Sequence, residues 1–135
     1  MNIILSIIIP AIAGILIYLL PSRLNKTKAV LFLTALIINF LLAVLFYGKS
    51  LFICEASAVI ADLFFRNYEL SAFMVMLLSF VALFSAIYAV SSMKQNKKTH
   101  IFYASVLIAV ACVNGVLFSD NFILFLFFWE ALMIP

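Results

Sequence analysis

Charge is what this sequence has least of. Of its 135 residues only 10% are Asp, Glu, Lys or Arg, five of them acids, and there is a single His. So few charges cannot keep a domain of this size in water, because a soluble surface carries about a quarter or more charged side chains. Cysteine is scarce too. Cys112 lies in an apolar run and Cys54 between two runs, so no structural disulfide is expected. Neither a CxxC pair nor a Cys/His spacing suited to zinc or an iron–sulfur cluster is present. With three glycines and no Gly-rich phosphate loop or nucleophile elbow, nucleotide binding and acyl-transfer chemistry lack their usual sequence supports. No cofactor is expected in this chain, and it is not expected to be catalytic alone.

What is there instead is apolar: 69% of residues are hydrophobic and the mean hydropathy is +1.35. Several runs approach the roughly 20 residues that cross a hydrocarbon layer of about 30 Å. In lipid the backbone must satisfy its own hydrogen bonds, so helices follow. The sequence therefore predicts an all-α integral membrane bundle with about five transmembrane helices, the last incomplete. The spans fall at about 3–20, 29–47, 70–92, 101–118 and 121–135, forming one transmembrane domain. Pro10 lies inside the first span, where a neighbouring helix can satisfy the carbonyl it frees. The stretch 51–69 is apolar but carries Glu55, Asp62, Arg66, Asn67 and Glu69. Glu55 and Asp62, seven residues apart, would share one helical face, so this stretch is expected to lie along the membrane interface.

The net charge of +3 and pI near 9.0 do not point to nucleic acid, because the basic residues sit in short loops beside apolar runs. That is a topology signal. Arg23, Lys26 and Lys28 follow the first span and Lys94, Lys97 and Lys98 follow the third. The positive-inside bias puts both loops in the cytoplasm and the N-terminus outside a cell (inner) membrane. The first run has no basic segment before it and no small-residue cleavage site, and reads as a retained span rather than a signal peptide.

One acid is expensive. Asp120 or Asn121 can cap the fifth helix, and nine residues from Asn121 at about 1.5 Å each bring Glu130 some 13 Å into the hydrocarbon. A charge there costs on the order of 3 kcal/mol, so the neutral carboxyl is favoured. Its helical neighbours Leu126, Phe127, Met133 and Ile134 offer no partner, and every Lys and Arg falls outside the expected spans. The countercharge must then come from another polypeptide. A protonated carboxyl bonded to a facing helix for packing alone is the simpler alternative. Asn114 is expected to make an interhelical bond, His100 to be a solvated interfacial residue, and Trp129 to pack between helices.

The stretch 118–135, FSDNFILFLFFWEALMIP, carries Asn121 at a helix start, then an apolar run, then Trp129 and Glu130. This resembles the fourth-to-fifth-helix passage of the antiporter-like subunits shared by respiratory complex I, energy-converting membrane hydrogenases and multisubunit cation/proton antiporters. Leu70, Ser71, Ala72 and Phe73, with Ile87 and Tyr88, add to the likeness, with Tyr68 and Glu69 where the family usually carries an Asp. The resemblance covers this chain but only about the first third of a typical family member. It implies that Glu130 is the gating carboxylate of an ion half-channel, paired in the family with a Lys on the seventh helix. It further implies partner membrane subunits, including a chain that supplies the missing helices and a buried Lys, with redox cofactors held elsewhere. By length, the fifth helix rises only about 21 Å by Pro135, so a separate polypeptide is expected to continue it. A small homodimeric proton-coupled transporter, or a packing subunit without transport, are the alternatives that remain.

The basic-residue asymmetry makes a direct prediction about topology. Single cysteines replacing Ser22 and Asn96 should resist an impermeant thiol reagent added outside intact cells, and become reactive once the membrane is opened.

Overall fold

A computed structural model describes residues 3–20, 25–50, 58–60, 63–65, 68–92 and 99–134. It is a helical membrane bundle. Five helices follow one another: α1 (Ile4–Leu19), α2 (Asn25–Ser50), α3 (Glu69–Ser92), α4 (Thr99–Phe118) and α5 (Phe122–Ala131). Three stretches, Lys26–Leu45, Glu69–Ser92 and Thr99–Phe118, are long and apolar enough to cross a membrane, and α1 and α5 are shorter apolar helices. Between α2 and α3 two short strands, β1 (Ala58–Ile60) and β2 (Leu63–Phe65), pair antiparallel with Ala58 opposite Phe65 and Ile60 opposite Leu63.

The hairpin departs from the helical face expected of 51–69. Val59 and Ile60 are β-branched and Phe64 and Phe65 aromatic, residue types that favour strands, and Val59 pairs with Phe64. Cys54, Glu55, Asp62, Arg66, Asn67, the loop residues Arg23, Lys94, Lys97 and Lys98, and Pro135 lie outside the described residues.

Helix ends follow local chemistry. Leu20, which caps α1, is extended at ψ 140°, as a residue before proline must be, since Pro21 crowds its helical conformation. At the other end of the chain Asn121 is extended at ψ 134° and its Oδ1 accepts from the Ile123 N–H at 3.1 Å. Asn121, not Asp120, is thus the cap that starts α5. The Tyr68 hydroxyl instead donates to Asp120 Oδ1 at 2.8 Å, tying the start of α3 to the turn before α5.

The bundle is inside-out relative to a soluble one. α3 exposes Phe80, Val81, Phe84, Ile87 and Tyr88 while burying Ala72, Val75, Ser79, Ala86 and Ala89. Large side chains therefore face outward and small ones face α2, letting the backbones approach. α1 packs closest on α4 and α2 on α3. Phe32 stacks on Tyr103 with ring centroids 4.5 Å apart, while Phe40 meets Phe80 and Tyr47 meets Phe73, so α2 and α3 run antiparallel. The start of α2, the end of α1 and the start of α4 consequently share one end of the bundle. α5 begins at the opposite end.

Backbone meets helix closely at Gly14, where an added Cβ would lie 3.0 Å from Ile108 Cγ1 and 3.1 Å from the Ala104 carbonyl oxygen. Backbone cannot yield as a flexible side-chain tip can. Gly14→Leu should therefore push α1 off α4 and destabilise the bundle by about 1–3 kcal/mol, read as a lowered Tm in nanodiscs.

Candidate functional site: a buried amide network and a membrane carboxyl

The bundle interior holds a polar layer that begins with a proline. Pro10 has no N–H, so the carbonyl of Ser6, four residues earlier, loses its helical donor. Asn114 of α4 replaces it, its Nδ2 donating to the Ser6 oxygen at 2.9 Å. The second proton of the same amide goes to Asn39 Oδ1 on α2, also at 2.9 Å. Asn39 Nδ2 in turn donates to Ser79 Oγ on α3 at 3.0 Å. Ser6, Asn39, Ser79 and Asn114 are all at most 2% exposed. One chain of hydrogen bonds therefore joins α1, α4, α2 and α3 away from solvent.

Two apolar clusters bracket this layer. One gathers Ala13, Ile17, Phe32, Leu36, Ala86, Tyr103 and Leu107; the other holds Ile3, Ile7, Ala43, Val75, Phe118 and Leu124. Along α2, α3 and α4 the polar residue falls between the two clusters. The interhelical bond expected of Asn114 is present; Asn39 and Ser79, its extensions, were not singled out by sequence. A lone Asn in an apolar run was the available signal at Asn39.

Glu130 lies on α5. Phe128, two residues before it, covers Gly115, where an added Cβ would come within 2.5–2.6 Å of the Phe128 ring. Gly115 adjoins Asn114 in sequence, so Phe128 meets α4 next to the residue that anchors the amide network. The Glu130 side chain is exposed, and among the described residues its carboxylate has no hydrogen-bond or ion-pair partner. Only Leu124 of α5 is buried.

No protein-family model matches the sequence, and no curated protein matches it.

Trp129 differs from the expectation that it packs between helices. It is half-exposed and stacks on Phe125 of its own helix, ring centroids 6.0 Å apart, one turn earlier. With α5 resting on α4 through Leu124 and Phe128, no second helix of the described chain covers the Trp129 face. His100, in the first turn of α4, is partly buried. Cys112 is a free, buried thiol, and no group of three or more His, Cys, Asp or Glu that could hold a metal occurs among the described residues.

The expectation that no basic residue enters a span needs correction. α2 starts at Asn25 rather than near 29, and it carries Lys26 and Lys28 into the helix. Asn25, Lys26 and Thr27 extend the apolar helix backward because none of them blocks helical geometry. Lys26 is exposed, whereas Lys28 is 2% exposed and its Nζ has no hydrogen-bond partner among the described residues. Lys28 is nevertheless not placed to serve Glu130. It precedes Phe32, which stacks on Tyr103, whereas Phe128, two residues before Glu130, meets Gly115, and those two α4 residues are roughly 18 Å apart along the helix.

The amide network makes a quantitative prediction. Asn114→Leu strands the Ser6 carbonyl and Asn39 Oδ1 together, and should cost about 1–2 kcal/mol. Because both substitutions break one shared bond, Asn114→Leu and Asn39→Leu combined should cost less than the sum of the two, in a double-mutant cycle read by unfolding in nanodiscs.

Proposed function

We propose that this chain is a subunit of a multisubunit membrane complex that couples a redox reaction or an opposing ion gradient to proton or sodium movement. Glu130 is its gating carboxylate. The observation that carries this reading is the setting of Glu130: exposed on the apolar helix α5, without a polar partner among the described residues. Lipid offers a carboxylate neither donor nor countercharge, so a residue kept there marks an ion route or the seat of another polypeptide. The likeness of Asn121, Trp129 and Glu130 to the antiporter-like subunits supports the same role. On this reading a neighbouring subunit brings a Lys to Glu130, and the protonation of Glu130 biases that lysine.

Chemically, the carboxyl makes and breaks no covalent bond to carbon. It changes between neutral and charged, and in a low-dielectric layer that change is felt over several ångströms by any facing cation.

Glu130→Gln keeps shape and hydrogen-bonding capacity while removing the switchable charge. The complex should assemble, but ion flux in proteoliposomes should fall on the order of tenfold, the effect of about 1.4 kcal/mol on a rate-limiting barrier. Unchanged flux would make Glu130 a packing residue. A cysteine at the exposed Met133 should also cross-link to a second polypeptide in native membranes.

A further inference from the structure

The outer surface is hollowed where α3 ends and α4 begins. Phe84, Ser85, Tyr88, Ala89 and Ser92 of α3 and Phe102 of α4 line an open groove of about 510 Å³ there. From Phe84 to Ser92 the helix rises roughly 12 Å, so the groove runs from the bundle end into the apolar layer. These two helices pack closely on α2 and α1 and much less on each other, which leaves the seam open.

Its lining changes along its length. Ser85 and Ala89, small side chains one turn apart, form the floor, and the exposed rings of Phe84 and Phe102 stand beside it. The inner part is therefore apolar. At the mouth are Ser92, the last residue of α3, and Tyr88 one turn before it, both exposed. A tyrosine near a span end belongs to the head-group level, its ring toward the chains and its hydroxyl toward water. A helix of another polypeptide seats best on a flush strip of small residues, such as α3 presents to α2. Rings standing over a narrow floor suit a flexible chain instead.

Charge decides which flexible chain. Six of the eight Lys and Arg residues belong to 23–28 and 94–98, which precede or begin α2 and link α3 to α4, and neither stretch holds an acid. Lys26 is an exposed member of this set on the first turn of α2, at the same end of the bundle as the groove mouth. Basic residues near a membrane surface draw acidic lipid toward them.

We propose that the groove binds one anionic phospholipid of the phosphatidylglycerol class. An acyl chain lies over Ser85 and Ala89 between the Phe84 and Phe102 rings, and the phosphate sits at the mouth, where the Tyr88 and Ser92 hydroxyls donate to its oxygens. The basic end of the bundle supplies an attraction that a zwitterionic lipid lacks. The bound lipid closes the seam between α3 and α4, and it does so whether or not the chain moves ions.

Native mass spectrometry tests this on the purified protein with its accompanying subunits, released from nanodiscs of phosphatidylcholine and phosphatidylglycerol in equal amounts. The wild type should retain phosphatidylglycerol on the order of fivefold over phosphatidylcholine. Ser92→Glu puts a negative charge at the mouth and should abolish the preference, whereas Ser92→Lys should keep or raise it. Ser91→Glu is the control, because it adds the same charge at an exposed position turned about 100° away around the helix, and there the preference should persist. Ser85→Phe fills the floor from an exposed position and should remove retained lipid of either kind. Equal retention of the two lipids by the wild type, equal loss in Ser91→Glu and Ser92→Glu, or full retention in Ser85→Phe would each overturn the proposal. A cross-link from Ser92→Cys to a second polypeptide would overturn it too, by showing that the groove seats a helix.

Discussion

A backbone carbonyl without a donor is among the costliest things a protein can leave inside hydrocarbon, and Pro10 creates one at Ser6. The arrangement of four helices depends on how it is met. Asn114 must face α1 at that level, and with its second proton it holds Asn39, which holds Ser79. The depth of α4 relative to α1, and of α2 and α3 relative to both, is thereby set by directional bonds. Apolar side chains alone would not do this, since a leucine packs as well against lipid as against another helix.

Small residues then let the bonds form. Gly14 brings α1 against the Ala104 carbonyl, and the stripe Ala72, Val75, Ser79, Ala86 and Ala89 brings α3 close to α2. The same α4 that carries Asn114 inward offers Gly115 outward, where Phe128 seats α5. One helix therefore serves two surfaces: a closed polar interior on one face and, on the other, the short helix that bears Glu130.

Much of this architecture was legible in the sequence, and the reasons differ by element. Apolar runs of near-membrane length gave the helices within a few residues, because length and hydropathy follow from the bilayer itself. Pro10 announced a freed carbonyl and Asn114 an interhelical bond, yet nothing in one-dimensional order showed that the two belong together, 108 residues apart. The start of α2 was missed because Lys26 and Lys28 read as loop charges, and a buried lysine looks the same in sequence as a solvated one. The hairpin at β1 and β2 was hidden by a similar ambiguity, since a short apolar run with an acid in it satisfies either period. The start of α5 was legible because Asn121 caps it; the exposure of Glu130 was not, because that depends on which face of α5 meets Gly115.

The separation of Ser6 from Asn114 also has a meaning in time. At synthesis rates of about 5–20 residues per second, the α1 carbonyl waits roughly 5–20 s after its own emergence before its donor leaves the ribosome. During that interval the first helix is a substrate for whatever shelters nascent membrane segments, and it becomes a settled part of the protein only when the fourth arrives. The order of birth along the chain is thus not the order of commitment: the earliest helix is finished by one of the latest.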